Sequence, residues 1–324
     1  MRFVILGAGA IGATIGGRLF EAGYDVLLVA RGAHLEALQR NGLRLAMPDR
    51  VLTQRIPSAA VGDTAFADGD VLVVATKQQD GTPLLEAAAG RDLPLFCAQN
   101  GVTGEEMALR RFDRVYGVCV MLPAQHLEPG RVAASGTPYT GSLDVGRYPS
   151  GTDDVAEMVA DALRRSGFLS RALDDVMPWK RAKLLRNLGN AIEALGGNRG
   201  NARAGDAAAA ELGRRVRAEG IACFEAAGLA WTTDEEWDAY RGDSVRVAPV
   251  DGAERGGGSS WQSAARGLGS IETDFLNGEI CRLGRLHGVP TPANALVQRE
   301  ANALVRRGDR PGTADVGALL RSLG

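Results

Sequence analysis

An α/β domain with a parallel sheet, followed by a mainly α-helical domain, is predicted by three features of this 324-residue sequence. Short apolar runs that are continuous rather than alternating recur through the first half, as in strands buried on both faces. A glycine-rich turn joins the first of these runs to a helical pattern, which is the start of a β-turn-α-β unit. After about residue 150 the periodicity becomes helical, and alanine-rich helix formers dominate 202–228. The length also favours two domains over one core. The expected division is 1–174 and 175–324.

The elements follow in order. Arg2 to Leu6 is a strand; Gly7-Ala8-Gly9-Ala10-Ile11-Gly12 opens a helix ending near Gly23; Tyr24 to Val29 is the second strand. Asp70 to Ala75, Leu93 to Ala98 and Val115 to Met121 are further strands, and Gly141 to Val145 is expected in a more antiparallel and solvated part. From Asp153 the pattern is helical. Val247 to Ser260, with its proline and glycines, reads as irregular. Two more helical patterns follow, one over Ser270 to His287 and one starting at Thr291-Pro292, an N-cap with proline at the first helical position.

Composition narrows the function classes. Apolar residues make up 45%, charged residues 23%, and the formal net charge is −2. That balance argues against a nucleic-acid binder, which needs a basic face to neutralise phosphates. No run of apolar residues is long enough to span a bilayer. The opening MRFVILGAGAIGATIGGRLF superficially resembles a secretory signal, but its five glycines between residues 7 and 17 suit a tight turn better. Cys97, Cys119, Cys223 and Cys281 are widely separated with no CxxC pair, which fits buried thiols in a reducing cytoplasm and no metal site.

The glycine turn is the first candidate site. Gly7 permits the turn, Gly9 lets backbone approach a pyrophosphate, and Gly12 lets helix and strand pack closely, with Ala8, Ala10 and Ile11 completing the cradle. The helix N-terminus adds amide donors and a favourable dipole. This is a Rossmann-type dinucleotide-binding pattern. At the end of the second strand, where an NAD site carries an acidic residue, the sequence has Val29-Ala30-Arg31-Gly32. Arg31 can fork onto a 2′-phosphate, which favours NADPH. His34 nearby reads as a surface imidazole. Lys77 follows the third strand at the ligand edge of the sheet; it is either a phosphate contact or a solvated loop lysine. Asn100, in Gln99-Asn100-Gly101, offers a donor and an acceptor to the nicotinamide ribose or to a substrate.

In the second half, Lys183, Asn187 and Asn190 are spaced i, i+4, i+7 and are expected on one helix face among Leu184, Leu185, Leu188 and Ile192. An ammonium at Lys183 can stabilise a developing alkoxide and donate a proton to it. Lys180 and Arg186 read as solvated charges elsewhere on that helix. Ser260 lies in a glycine-rich stretch and Glu272 near a helix start, where turn chemistry and the helix dipole are alternative reasons for them.

Taken together, GAGAIG, the Ala-Arg-Gly after the second strand, Thr76-Lys77, Ala98-Gln-Asn-Gly101, Trp179-Lys-Arg-Ala-Lys183-Leu-Leu-Arg-Asn187, Ser259-Ser260-Trp261, Glu272-Thr-Asp-Phe-Leu-Asn277-Gly278 and His287-Gly-Val-Pro290-Thr-Pro292-Ala-Asn294 resemble the ketopantoate reductase family, in order, from residue 2 to about 300. The resemblance implies an NADPH-dependent oxidoreductase that reduces a 2-keto acid, a step of pantothenate biosynthesis. It implies Lys183 as the catalytic lysine and Glu272 as the active-site glutamate. Asn100, Asn187, Asn190 and Ser260 are then substrate contacts, and Ala124 and Glu272 further cofactor contacts. A cytoplasmic homodimer is the expected form. The sequence departs from the family pattern at Ala191, where an asparagine is usual, and at Ala264, where an acidic residue is usual; both bear on the far end of the substrate. Asn190 can substitute for the first, about 100° away around the helix. A reductase of a different keto or imino acid on the same scaffold, and an NADP-binding sensor without catalysis, are the alternative functions.

Overall fold

The computed structural model describes residues 1–196, 207–250, 257–267 and 270–324. In chain order the first part contains β1 (Arg2–Leu6), α1 (Ala10–Glu21), β2 (Asp25–Val29), α2 (Gly32–Asn41), β3 (Leu43–Ala46), β4 (Val51–Gln54), β5 (Ser58–Ala59), β6 (Asp70–Val74), α3 (Thr82–Ala88), β7 (Leu95–Cys97), α4 (Thr103–Leu109), β8 (Val115–Met121), β9 (Ala124–Glu128), β10 (Arg131–Ala134), β11 (Gly136–Pro138), β12 (Ser142–Arg147) and α5 (Asp154–Arg165). There follow α6 (Met177–Asn187), α7 (Asn190–Gly196), α8 (Ala207–Ala226), α9 (Asp234–Arg241), β13 (Val245–Val247), α10 (Ser259–Ala265), α11 (Asn277–His287), α12 (Pro292–Arg307) and α13 (Val316–Arg321). The chain divides into two compact units, Met1–Lys180 with Thr232–Glu254, and Arg181–Trp231 with Arg255–Gly324. No single cut in the sequence separates them.

The first unit is built on a seven-stranded sheet in the order β12-β8-β7-β6-β1-β2-β5. The central strands are parallel, and β12 runs antiparallel to β8. Alternate residues of β1 enter different cores. Phe3 and Ile5 pack with Ile15 and Leu19 of α1 and with Val159 and Leu163 of α5, while Val4 and Leu6 pack with Leu85, Ala88 and Phe112 on the opposite face. Covering both faces with helices explains why these strands read as unbroken apolar runs.

Two features of this unit differ from the expectation. β12 is buried along nearly its whole length rather than solvated: Asp144 is fully buried, accepts from the Tyr240 hydroxyl at 2.7 Å and the Arg171 amide at 3.1 Å, and burial pushes its carboxyl above the usual range. The chain also builds a second sheet, β4-β3-β10-β9, which gives too short a pattern in each strand to register. The stretch expected to be irregular, Val247 to Ser260, carries regular structure only at its two ends among the described residues: Val247 closes β13, which pairs antiparallel with β11, and Ser259 and Ser260 open α10. The remainder of that stretch falls partly at 251–256, outside the described residues, as do residues 202–206 of the alanine-rich run.

The second unit is a helical assembly around Leu184, Leu185, Leu188, Leu212, Val216, Phe224, Ile280, Leu296, Val297 and Leu304, all buried. Gly220 of α8 allows a close crossing, since a methyl there would stand 2.6 Å from Leu185 and 3.2 Å from Leu188. The expected helix over Ser270 to His287 is instead a 3₁₀ turn, Glu272–Phe275, and then α11. Proline opens α12 as expected, but the Thr291 side chain does not cap it. Glu219 of α8 does so from a distance, accepting from the Ala293 and Asn294 amides at 2.8 and 2.9 Å. Glu219→Ala should therefore destabilise the protein by about 2 kcal/mol, the scale of charge-assisted bonds to orphan helix amides, with the shift read from a urea unfolding midpoint.

Candidate active site

The glycine turn has the geometry its sequence implies. Gly7 adopts φ +103°, open to glycine and strained for other residues, and a side chain there would strike Thr76. A methyl on Gly12 would lie 2.2 Å from the Gly7 carbonyl oxygen and 2.9 Å from Ile5, so this glycine holds α1 tight against β1. Gly9 is the opposite case: a methyl there meets no atom within 4 Å and projects into open space at the start of α1. Gly9 is also the N-cap, with no side chain satisfying the first helical amides. The residues present thus fit a dinucleotide pyrophosphate, with Ala8 buried beneath the turn and Ala10 and Ile11 in the first turn of the helix.

Arg31 is the N-cap residue of α2, and its side chain is 88% exposed. Its guanidinium lies 3.2 Å from Asp80 Oδ1, on the 3₁₀ turn that follows β6. An exposed pair of this kind contributes at most about 1 kcal/mol, leaving Arg31 able to exchange Asp80 for a phosphate. Lys77 precedes that turn and is half-buried. Ala124 opens β9.

His34 is not a plain surface imidazole. Its Nε2 donates to the Ala8 carbonyl at 2.7 Å, and its Nδ1 accepts from the Gly130 amide at 3.0 Å. Those partners fix the neutral Nε2–H tautomer, and burial lowers the imidazole below its ordinary value. The ring also lies beside His126, centroids 4.7 Å apart. The signal was only a histidine soon after the second strand, and the Ala8 carbonyl it serves is remote in sequence.

Asn100 sits at the carboxyl end of β7, in a turn held from several directions. Its carbonyl accepts from the Gln78 side chain at 2.9 Å, and the Gln99 side chain donates to the Thr76 carbonyl at 3.0 Å. The largest correction in the site concerns Lys180. Far from being a solvated charge, it is 3% exposed, and its ammonium donates to the carbonyls of Gln99 at 2.9 Å and Val118 at 3.0 Å. It forms an ion pair with Glu105 Oε1 at 2.8 Å, and Glu105 is itself fully buried. Burial raises the Glu105 carboxyl above its ordinary value, against the pull of the Lys180 ammonium.

In the second unit Lys183 is half-buried and Asn187 is buried, one helical turn apart on α6. Asn190 does not belong to the same helix segment. Leu188-Gly189 interrupts the helix, and Asn190 is the first residue of α7. The interruption is pinned by Asn277, which donates to the Leu188 carbonyl at 3.2 Å and to Asn294 Oδ1 at 3.0 Å. Arg186 is exposed, as expected.

Ser260 lies in the first turn of α10 rather than in a glycine-rich loop. It is 2% exposed, and its hydroxyl has no hydrogen-bond partner among the described residues. The residue before the helix, Gly258, donates its amide to Glu193 Oε2 at 3.1 Å, and a methyl on Gly258 would stand 3.1 Å from Asn190 Oδ1. The fold therefore brings Asn190, Glu193 and the start of α10 together. Glu272 is buried at the head of its 3₁₀ turn.

The description "Ketopantoate reductase PanE/ApbA" matches residues 3–150 and its C-terminal counterpart matches residues 175–305. The chain belongs to the ketopantoate reductase family. It is 30% identical over 296 residues to the 2-dehydropantoate 2-reductase of Archaeoglobus fulgidus, covering 90% of this chain and 94% of that one. It is 28% identical over 300 residues to the 2-dehydropantoate 2-reductase of Pyrococcus horikoshii, covering 92% and 95%. The crystal structure of a PanE/ApbA family ketopantoate reductase from Ralstonia eutropha JMP134 superposes with a TM-score of 0.79 at 25% identity, covering 95% of this chain and 99% of that one. Membership in this oxidoreductase family agrees with the architecture of a nucleotide-binding sheet and a helical unit. Among the described residues no helix is long and apolar enough to cross a membrane.

Two expected outcomes follow from the first unit. Gly9→Ala should leave thermal stability nearly unchanged while weakening dinucleotide binding at least about tenfold, whereas Gly12→Ala should destabilise the fold by about 1–3 kcal/mol through overpacking; calorimetry and a fluorescence titration separate the two. The lowered His34 value means that the folded state binds fewer protons than the unfolded chain. Its stabilisation is complete above the unfolded value of about 6.5 and is lost as pH falls through it toward the folded value. Urea midpoints should thus drop between pH 7.5 and 5.5, and drop less in His34→Gln, whose amide can still donate to Ala8.

Proposed function

We propose that this protein reduces 2-dehydropantoate, or a closely similar 2-keto acid, to the 2-hydroxy acid with NADPH. The observation that carries this reading is the half-buried Lys183 one turn before the buried Asn187 on α6, in a chain matched to the family through both of its parts. The nicotinamide, when bound, supplies a hydride to the ketone carbon. The open cradle at Gly9 supports pyrophosphate binding by Gly7, Ala8, Gly9, Ala10, Ile11 and Gly12, and Arg31 is the contact for the 2′-phosphate. Lys77, Asn100, Ala124 and Glu272 complete the cofactor contacts.

Lys183 binds the ketone oxygen through its ammonium, a bond that strengthens as negative charge develops there. It then delivers a proton to the alkoxide and is reprotonated from solvent. Asn187, Asn190 and Asn100 orient the keto acid, and Glu272 completes the catalytic group. The orphaned Ser260 hydroxyl is suited to donate to the substrate carboxylate, which would satisfy a buried polar atom otherwise left at a cost. Ala191 and Ala264 are both buried methyls where the family is usually polar, which favours a second reading in which the substrate's far end is less polar than that of ketopantoate. The same proposal takes the enzyme as a cytoplasmic homodimer; its four cysteines are buried and form no disulfide.

NADPH oxidation measured against a panel of 2-keto acids that includes ketopantoate tests the activity and ranks the substrates. Lys183→Ala should lower kcat by at least about 10²-fold while NADPH still binds, and Arg31→Ala should raise the KM for NADPH about tenfold or more. Near-normal kcat in Lys183→Ala would assign the proton to another group.

A further inference from the structure

Lys180 is a buried cation that the proposed reaction does not use. A long charged side chain is almost never fully buried without partners, and these partners are specific. The ammonium reaches Gln99 O at 2.9 Å, Val118 O at 3.0 Å and Cys97 O at 3.5 Å, at the carboxyl end of β7 and beside the middle of the parallel strand β8. Glu105, the balancing charge at 2.8 Å, stands on α4 immediately beyond the same turn. Little space is left around this pair: a methyl on Gly117 would meet the Lys180 stem at 3.2 Å and Glu105 Oε1 at 3.3 Å.

The turn between β7 and α4 is therefore held at consecutive residues by buried donors. Lys180 takes the Gln99 carbonyl and Gln78 takes the Asn100 carbonyl, while the Gln99 side chain spans to Thr76. Gly104 has to be a glycine for this arrangement, since a methyl would lie 2.5 Å from Gln99 Oε1 and 2.9 Å from Gln78 Nε2. A burial whose only purpose was core stability would be served as well by an apolar side chain. An ammonium gathering three carbonyls fixes backbone geometry.

We propose that Lys180, balanced by Glu105, is a positioning residue that sets the Gln99-Asn100-Gly101 turn so that Asn100 is presented correctly to the reacting pair. The proposal rests on the reading of Asn100 as a cofactor and substrate contact. Lys180 acts through backbone carbonyls and touches neither ligand. It stands three residues before Lys183 on α6, so one helix carries both the proposed proton donor and the anchor of the turn.

The test compares the unaltered protein with K180M and with K180M/E105Q, which removes both charges at nearly constant shape. Three quantities are measured: thermal midpoint, hydrogen exchange at the amides of residues 98–104, and kinetics with NADPH and the best 2-keto acid. K180M is expected to lower the thermal midpoint, because it strands the Glu105 carboxylate. The double variant should recover most of that loss, yet exchange at the turn should remain faster by at least about tenfold. Its kcat should stay depressed at least about tenfold, with the NADPH dissociation constant changed less than about threefold, as misplacement of an orienting group predicts. Recovery of turn protection and kcat together with the midpoint would overturn the proposal, leaving a charge pair that serves stability alone. Faster exchange with unchanged kcat would overturn it too, as would a double variant that cannot fold. If the unaltered protein reduces no 2-keto acid, the activity reading fails by itself, and exchange at the turn still decides whether Lys180 anchors it.

Discussion

Parallel strands β1, β6 and β7 stop in register and leave backbone carbonyls at one edge of the sheet, and the way these and a neighbouring carbonyl of β8 are satisfied shapes the turns that follow. A carbonyl buried without a donor is expensive. Here the Lys180 ammonium, the Gln78 and Gln99 amides and the His34 imidazole supply donors to the carbonyls of Gln99, Val118, Asn100, Thr76 and Ala8. Buried Lys180, Gln78 and Gln99 and half-buried His34 have thus been recruited to hold backbone in place. The glycines and alanines of the cradle can be featureless because the geometry around them is fixed from behind.

The helical unit solves a related problem by other means. Several of its polar groups serve places where helices start or break, and these are held by buried amides or half-buried carboxylates. Asn277 ties the Leu188 carbonyl to Asn294, and Asn294 in turn donates to Glu219 and to the Val216 carbonyl. The chain from α8 to α12 therefore stabilises the interruption that sets Asn187 apart from Asn190. Glu193 performs the corresponding task for the start of α10.

Legibility of the sequence divides along this line. Strands β1, β2, β6, β7 and β8 and helix α1 could be read because period and glycine spacing are local properties, and so could the glycine cradle. The second sheet could not, since β3 and β10 offer four residues each and β3 pairs with β10 across a long stretch of chain. Lys180 sits between Trp179 and Arg181 in a charged sequence, and its burial is decided by carbonyls 62 to 83 residues away. The break at Leu188-Gly189 was hidden for the same reason, because the donor that stabilises it is Asn277. Residue types at the candidate site were visible; where the helix that carries them is interrupted depended on contacts that spacing does not encode.

The first unit is completed by a stretch that lies beyond α8. Thr232–Val250 brings Trp237 into its core, places the Tyr240 hydroxyl on the buried Asp144, and adds β13 beside β11. During synthesis the nucleotide-binding unit therefore cannot finish when its own sheet has emerged from the ribosome. Asp144 can take the Arg171 amide early, but its bond from the Tyr240 hydroxyl has to wait until α6, α7, α8 and α9 have been translated. A nascent chain halted before Thr232 would hold Asp144 by the Arg171 amide and guanidinium alone, without the Tyr240 hydroxyl and the Arg241 guanidinium that complete its surroundings.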